Sequence, residues 1–203
     1  VIMDEWGTWY KEARTETGLY QNSTMMDAVF AALSFHLFHE YVPDLYMTNM
    51  AQTINVLQSL VLTEGPLSCV TPTYYIYELF KRHRGGTVLD LSCNAATLET
   101  PGGKKIPEVS ISATYCAEKD IMHITAVNPH LSTSTNLDLT LDLRHISSVC
   151  GKVLTSAKVR NHNTPKNPDV IKPATLDVRH SDKSLSFILP PHSVAAISLN
   201  LTE

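Results

Sequence analysis

Apolar and polar positions alternate with two different periods along the 203-residue chain, and the change falls near residues 84–88. Before it the pattern is largely helical. Val1-Ile2-Met3 predicts a short buried strand, with Asp4 and Glu5 where that strand would end. Asn22-Ser-Thr then offers capping side chains to a helix whose apolar positions are Met26, Val29, Phe30, Leu33 and Leu37. Pro43-Asp44 breaks that helix, and Leu45-Tyr46-Met47 predicts a second buried strand. A second helix is expected with Ile54, Leu57, Leu60 and Val61 on one face, ending near Glu64-Gly65-Pro66. A third runs from Tyr74 to His83, with Pro72 at a tolerated N-terminal position and Arg-Gly-Gly to stop it. Strands alternating with helices imply βα units on a parallel sheet, but two such units do not complete one.

Beyond Gly85-Gly86 the period falls to two. Val109, Ile111, Ala113 and Tyr115 alternate with Ser and Thr; Leu137, Leu139, Leu141 and Leu143 alternate with Asp138, Thr140, Asp142 and Arg144. Leu185, Phe187 and Leu189 continue the scheme, as do Ala195, Ile197, Leu199 and Leu201. Each run reads as a half-buried antiparallel strand. With 87–91, 122–127, 153–159 and 175–178 the expectation is about eight strands, a β-sandwich of Greek-key or jelly-roll kind. The Asn- and Pro-rich segment 161–173 is the longest expected loop.

Composition narrows the function classes. A formal charge of -4 and a pI near 6.1 speak against nucleic acid and anionic membranes as partners. No apolar run approaches the roughly 20 residues that span a bilayer, and no secretory leader is expected, since a basic n-region and an h-region are both missing. Cys69, Cys93, Cys116 and Cys150 lie far apart with no CxxC pair, so free thiols in a reducing compartment are expected rather than a zinc site. Asn22-Ser-Thr and Asn200-Leu-Thr match the glycosylation tripeptide, which matters only in a secretory eukaryotic context.

The first candidate for chemistry is Glu5. A carboxylate at the C-terminal end of a parallel strand, walled by Trp6 and Trp9, could serve as a nucleophile, a general acid or a sugar contact; the plain alternative is an acid at a helix N-terminus. Asp4 would point elsewhere and reads as structural. Gln52 and Asn55 follow the second strand, at the same end of the sheet as Glu5; either could be a ligand-binding amide or a cap. His36 and His39 are three apart on a helix, but no third ligand is near, so neither is read as metal-binding. The tyrosines of Tyr74-Tyr-Ile-Tyr read as packing. No Ser/His/Asp set, phosphate-binding loop or dinucleotide fingerprint is present, and no cofactor or metal is expected.

Four stretches, in this order and spacing, carry a resemblance: DEWGTWY, GLYQNSTMMDAVFAALSFHLFH, MTNMAQTINVLQSLVLTEG and TPTYYIYELFKRHRGGTVL. Together they resemble the C-terminal portion of family 51 glycoside hydrolases, dense over residues 3 to about 90 and resting beyond that on strand pattern. The resemblance implies an α-L-arabinofuranosidase with a TIM, or (β/α)8, barrel followed by a jelly-roll β-sandwich. Residues 1–88 would be the last two βα units of the barrel and residues 89–203 the sandwich. It further implies that Glu5 is the catalytic nucleophile, that Trp9 lines the arabinose pocket and that Gln52 hydrogen-bonds the bound sugar. Hydrolysis would proceed with retention, through a second carboxyl roughly 5 Å from the nucleophile. In the family that residue is the Glu of an Asn-Glu pair, and no Asn-Glu occurs in this sequence. The chain alone is therefore expected to be inactive. Its expected partner is an arabinofuranosyl oligo- or polysaccharide, with homo-oligomer formation and a cytoplasmic or secreted bacterial location left open. The alternative is a non-catalytic carbohydrate-binding or structural β-sandwich, against which stands the absence of Trp from the sandwich segment.

Overall fold

The computed structural model describes residues 1–14, 18–100, 102–142 and 144–202; Leu143, placed above in a strand, lies outside them. The chain divides into two compact units, one made of 1–78 with 154–173 and the other of 79–153 with 174–203.

In the first unit, β1 (Ile2–Trp6) and β2 (Met47–Met50) pair in parallel, from Ile2 opposite Met47 to Trp6 opposite Met50. The helix α1 (Met25–Glu40) makes the crossover between them, so the parallel βα reading holds for this segment. The strands are not buried, however: Val1 is 82% exposed, and Ile2, Met3 and Met47 are exposed too. Among the described residues β1 and β2 form a sheet of two strands, which leaves Ile2, Met3 and Met47 uncovered. β1 also runs to Trp6, so Glu5 lies within the strand rather than past its end.

α1 buries Met25, Ala28, Val29, Ala31, Ala32 and His36, while Phe30 and Leu37 are exposed. The buried face is thus turned away from the one predicted by the large side chains. Apolar residues occupy almost the whole circumference, and the alanine side is the one that permits close approach of neighbouring backbone. The expected second helix is absent. Residues 54–60 are irregular, followed by a hairpin of β3 (Val61–Glu64) and β4 (Leu67–Val70). Gly65, with φ of +57°, and Pro66 form its two-residue turn, a position that suits glycine followed by proline. β-branched Val61 and Thr63 favour the extended form, and tertiary pairing overrides the apparent helical spacing. α2 (Pro72–Phe80) follows, Pro72 being its first residue, and a 3-10 turn over Lys81–His83 completes the element predicted there.

Segment 154–173 completes this unit without regular strands of its own. The carbonyls of Asn161 and Val159 accept the amides of Met25 and Met26, two of the N–H groups a helix start leaves unpaired. Asn163 is wholly buried; its amide donates to the Val70 and Ile171 carbonyls and its oxygen accepts the Ile171 amide.

The second unit is mostly sheet. It contains β5 (Thr87–Val88), β6 (Thr97–Glu99), β7 (Lys105–Pro107), β8 (Ser110–Cys116), β9 (Ile121–Asn128) and β10 (Thr135–Thr140). After them come β11 (His145–Leu154), β12 (Ala174–Thr175), β13 (Arg179–His180), β14 (Ser184–Leu189) and β15 (Ser193–Thr202). Six strands form one sheet in the order β12-β11-β15-β9-β8-β5, and three form another, β10-β14-β13. Ala113, Ile124, Ala126 and Ile197 of the first share one core with Leu137, Leu185, Phe187 and Leu189 of the second, the arrangement of a β-sandwich. The strand expected at 153–159 instead runs from His145 to Leu154. Paired serines at 147–148 and Gly151 interrupt its alternation and hide it from a period-two count.

Candidate active site

β1 and β2 end side by side, and the ladder continues one step past them: the Ala51 amide donates to the Trp6 carbonyl at 3.0 Å. This register sets Glu5, the last residue but one of β1, and Gln52 at the same end of the pair, with Trp9 in the loop that follows β1. The Glu5 side chain is exposed, and no polar group among the described residues engages it. Trp6 turns instead to the rings of Phe30, Phe35 and Phe38, 5.1–6.5 Å away between centroids. Gln52, joined to Ala51 by a cis peptide bond, is also exposed; its backbone amide donates to the Val56 carbonyl. Asn55 is committed locally, its amide group exchanging hydrogen bonds with Thr63.

Trp9 is 55% exposed, and the guanidinium of Arg14 lies 5.6 Å from its ring centroid. Arg14 closes a short 3-10 turn, Lys11–Arg14, directly after the loop. The cation covers part of the indole and leaves ring surface open to solvent, as a platform for an apolar sugar face would require.

Beneath this exposed rim lies a buried polar network that the sequence reading passed over. Asp27 and Gln58 are 0% exposed. The Thr8 hydroxyl donates to Asp27 Oδ1 at 2.6 Å and the Tyr10 hydroxyl to the same oxygen at 2.9 Å. Gln58 Oε1 accepts the Thr8 amide, and its amide group donates to the Asp27 carbonyl. Gln21 accepts the Tyr10 amide and donates to Thr8. Burial, followed by the charge of Asp27, raises the Tyr10 phenol above its ordinary range, so it stays a donor. Burial lowers the pKa of His39, and no cluster of three or more His, Cys, Asp or Glu groups able to hold a metal occurs among the described residues. The one sequence signal for the network is Thr24-x-x-Asp27, the spacing of a helix-start capping pair.

Geometrically, Glu5 and Gln52 offer an open carboxylate and an open amide at one strand end, and Trp9 offers an open indole in the loop that follows β1. The site can present a nucleophile or hydrogen-bond acceptor to a polyhydroxylated ligand. A family model described as the alpha-L-arabinofuranosidase C-terminal domain matches residues 4–193. The chain is 33% identical to an "Intracellular exo-alpha-L-arabinofuranosidase" of Bacteroides ovatus, over 98% of its own length and 39% of that protein. It is 28% identical to alpha-L-arabinofuranosidase 2 of Arabidopsis thaliana over 95% of its length, 26% of that protein. The crystal structure of a GH51 arabinofuranosidase from Xanthomonas axonopodis pv. citri superposes with a TM-score of 0.90 at 30% identity, covering 98% of this chain and 40% of that one. The chain thus spans about two-fifths or less of the length of these relatives. No helix among the described residues is long and apolar enough to cross a membrane.

Proposed function

Since the chain belongs to the family of α-L-arabinofuranosidase C-terminal domains, we propose that it is the C-terminal part of a retaining α-L-arabinofuranosidase acting on terminal arabinofuranosyl units of arabinan- or arabinoxylan-type substrates. The observation that carries this is the parallel register that brings Glu5 and Gln52 to one strand end, with Trp9 in the loop that follows β1. In this reading a Glu5 carboxylate oxygen attacks the anomeric carbon. The glycosidic C–O bond breaks as its oxygen takes a proton from an acid supplied outside this sequence. Water, deprotonated by that same group, then attacks the glycosyl-enzyme and releases arabinose with retained configuration. Gln52 would hydrogen-bond sugar hydroxyls and Trp9 would form a wall of the pocket. Residues 1–88 would be the last two βα units of a (β/α)8 barrel and 89–203 a jelly-roll sandwich. Supporting the barrel part are apolar side chains open to solvent on and beside β1, β2 and α1, with Tyr46 85% and Tyr41 58% exposed. An intracellular location draws support from the name of the Bacteroides ovatus relative and from the four unpaired cysteines.

The test is turnover of an aryl α-L-arabinofuranoside by the full-length protein carrying Glu5→Gln. We expect kcat to fall by about 10⁴-fold or more, and Glu5→Gly to regain turnover when azide replaces the missing carboxylate. A Glu5→Gln enzyme as fast as its parent would remove Glu5 from the chemistry.

A further inference from the structure

Asp27 divides its two oxygens between separate tasks. Oδ2 accepts the Thr24 amide and the Thr24 hydroxyl, both at 2.7 Å, which fixes the start of α1. Oδ1 faces the other way along the chain and accepts the hydroxyls of Thr8 and Tyr10, at 2.6 and 2.9 Å. The four donors saturate the carboxylate, and charge-assisted bonds of this length are the strong ones. Capping a helix requires only one acceptor. Thr24 is already the capping residue of α1, and as its capping-box partner Asp27 needs only one oxygen to receive the Thr24 amide, while burying a whole carboxylate is costly. The second oxygen therefore calls for a role of its own, and its two donors flank Trp9 on either side in sequence.

Trp9 is more than half exposed, and Arg14 is the cation over its ring. With so little packed on the indole, its direction is governed by the backbone of residues 8–10. That backbone is tied at Thr8 by Asp27, Gln58 and Gln21, and at Tyr10 by Asp27 and Gln21. We propose that Asp27 is a positioning residue for the sugar-facing loop: through Thr8 and Tyr10 it sets the orientation of Trp9, independently of its part in starting α1. This rests on the assignment of Trp9 to the arabinose pocket given above.

The division between the two oxygens makes the proposal separable from a general stabilising role. In the full-length enzyme, with an aryl α-L-arabinofuranoside as substrate, Thr24→Val is expected to lower the thermal midpoint and leave KM unchanged. Thr8→Val removes a donor to Oδ1 and is expected to raise KM by about tenfold, while Thr8→Ser, which keeps the hydroxyl, restores it. In a Trp9→Ala background Thr8→Val should have no further effect on KM, because the group through which it acts is gone. Equal multiplicative effects of Thr8→Val with and without Trp9 would overturn the proposal, as would a Thr8→Val enzyme altered only in its thermal midpoint. Should Thr8→Val not fold, Tyr10→Phe removes the other Oδ1 donor and enters the same cycle with the same expected loss of effect. If Trp9→Ala alone leaves kcat and KM unchanged, the pocket assignment itself falls, a result distinguishable from failure of the coupling.

Discussion

Two tyrosines show how individual side chains in the first unit respond to their surroundings. Tyr77, against Phe35 with ring centroids 5.0 Å apart, is pushed by burial from the ordinary 10.0 up to about 12. Tyr10 is raised further, by burial and then by the Asp27 charge. A phenol whose pKa is higher folded than unfolded contributes stability that is complete below the unfolded value. That contribution is lost as pH climbs through the folded one. Stability should therefore begin to fall above pH 10, and the fall towards pH 12 should be shallower in Tyr77→Phe, followed by chemical denaturation at a series of pH values. The identical slope in both proteins would refute the raised Tyr77 phenol. At this scale the sequence marks the residues of the proposed site and hides the polar network behind Thr8 and Tyr10. Glu5, Trp9 and Gln52 stand out by residue type and strand position. Asp27, Gln58 and Gln21 look like ordinary helix and loop polars, and their convergence depends on contacts 11–50 residues apart.

Among the elements, α1 illustrates why apolar spacing can identify a helix and still misplace its buried face. Its length and its cap are legible, since Thr24 and Asp27 mark the start. Its contact face is not, because Ala28, Ala31 and Ala32 carry little hydrophobic signal while Phe30 and Leu37 carry much. Ala32→Leu should lower stability by about 1–3 kcal/mol through overpacking, and Leu37→Ala should change it by about 0.5 kcal/mol or less. Denaturation midpoints of the two variants check the order, and the reverse order would restore the face predicted by the large side chains. The hairpin β3–β4 was masked by a similar ambiguity, since Ile54, Leu57, Leu60 and Val61 fit a helical template over a short run. In the sandwich, strict alternation made β8, β14 and β15 readable almost to the residue. Two-residue strands such as β12 and β13 carry too little pattern to register.

Across the whole molecule, the order of residues in sequence and their grouping in space part company once. Segment 154–173 lies between two strands of the second unit in sequence, yet it is grouped with 1–78. Asn163 is its anchor, with three hydrogen bonds inside the first unit. Asn163→Ala should cost about 2–4 kcal/mol by stranding buried backbone groups. The accompanying gain in amide exchange should be centred on Ile171, whose N–H loses its acceptor. An unchanged midpoint would show that the segment is held by other means. This discontinuity has a consequence for synthesis. When Glu78 leaves the ribosome, the first unit still lacks the carbonyls that complete the start of α1 and the asparagine that pairs with Val70. About 95 more residues must be made before Pro173 emerges, a wait of about 5–20 s at ordinary elongation rates. Through that interval Met25, Ile76 and their apolar neighbours have an unfinished shell around them. The nascent protein should therefore depend on chaperones between the synthesis of Glu78 and that of Pro173.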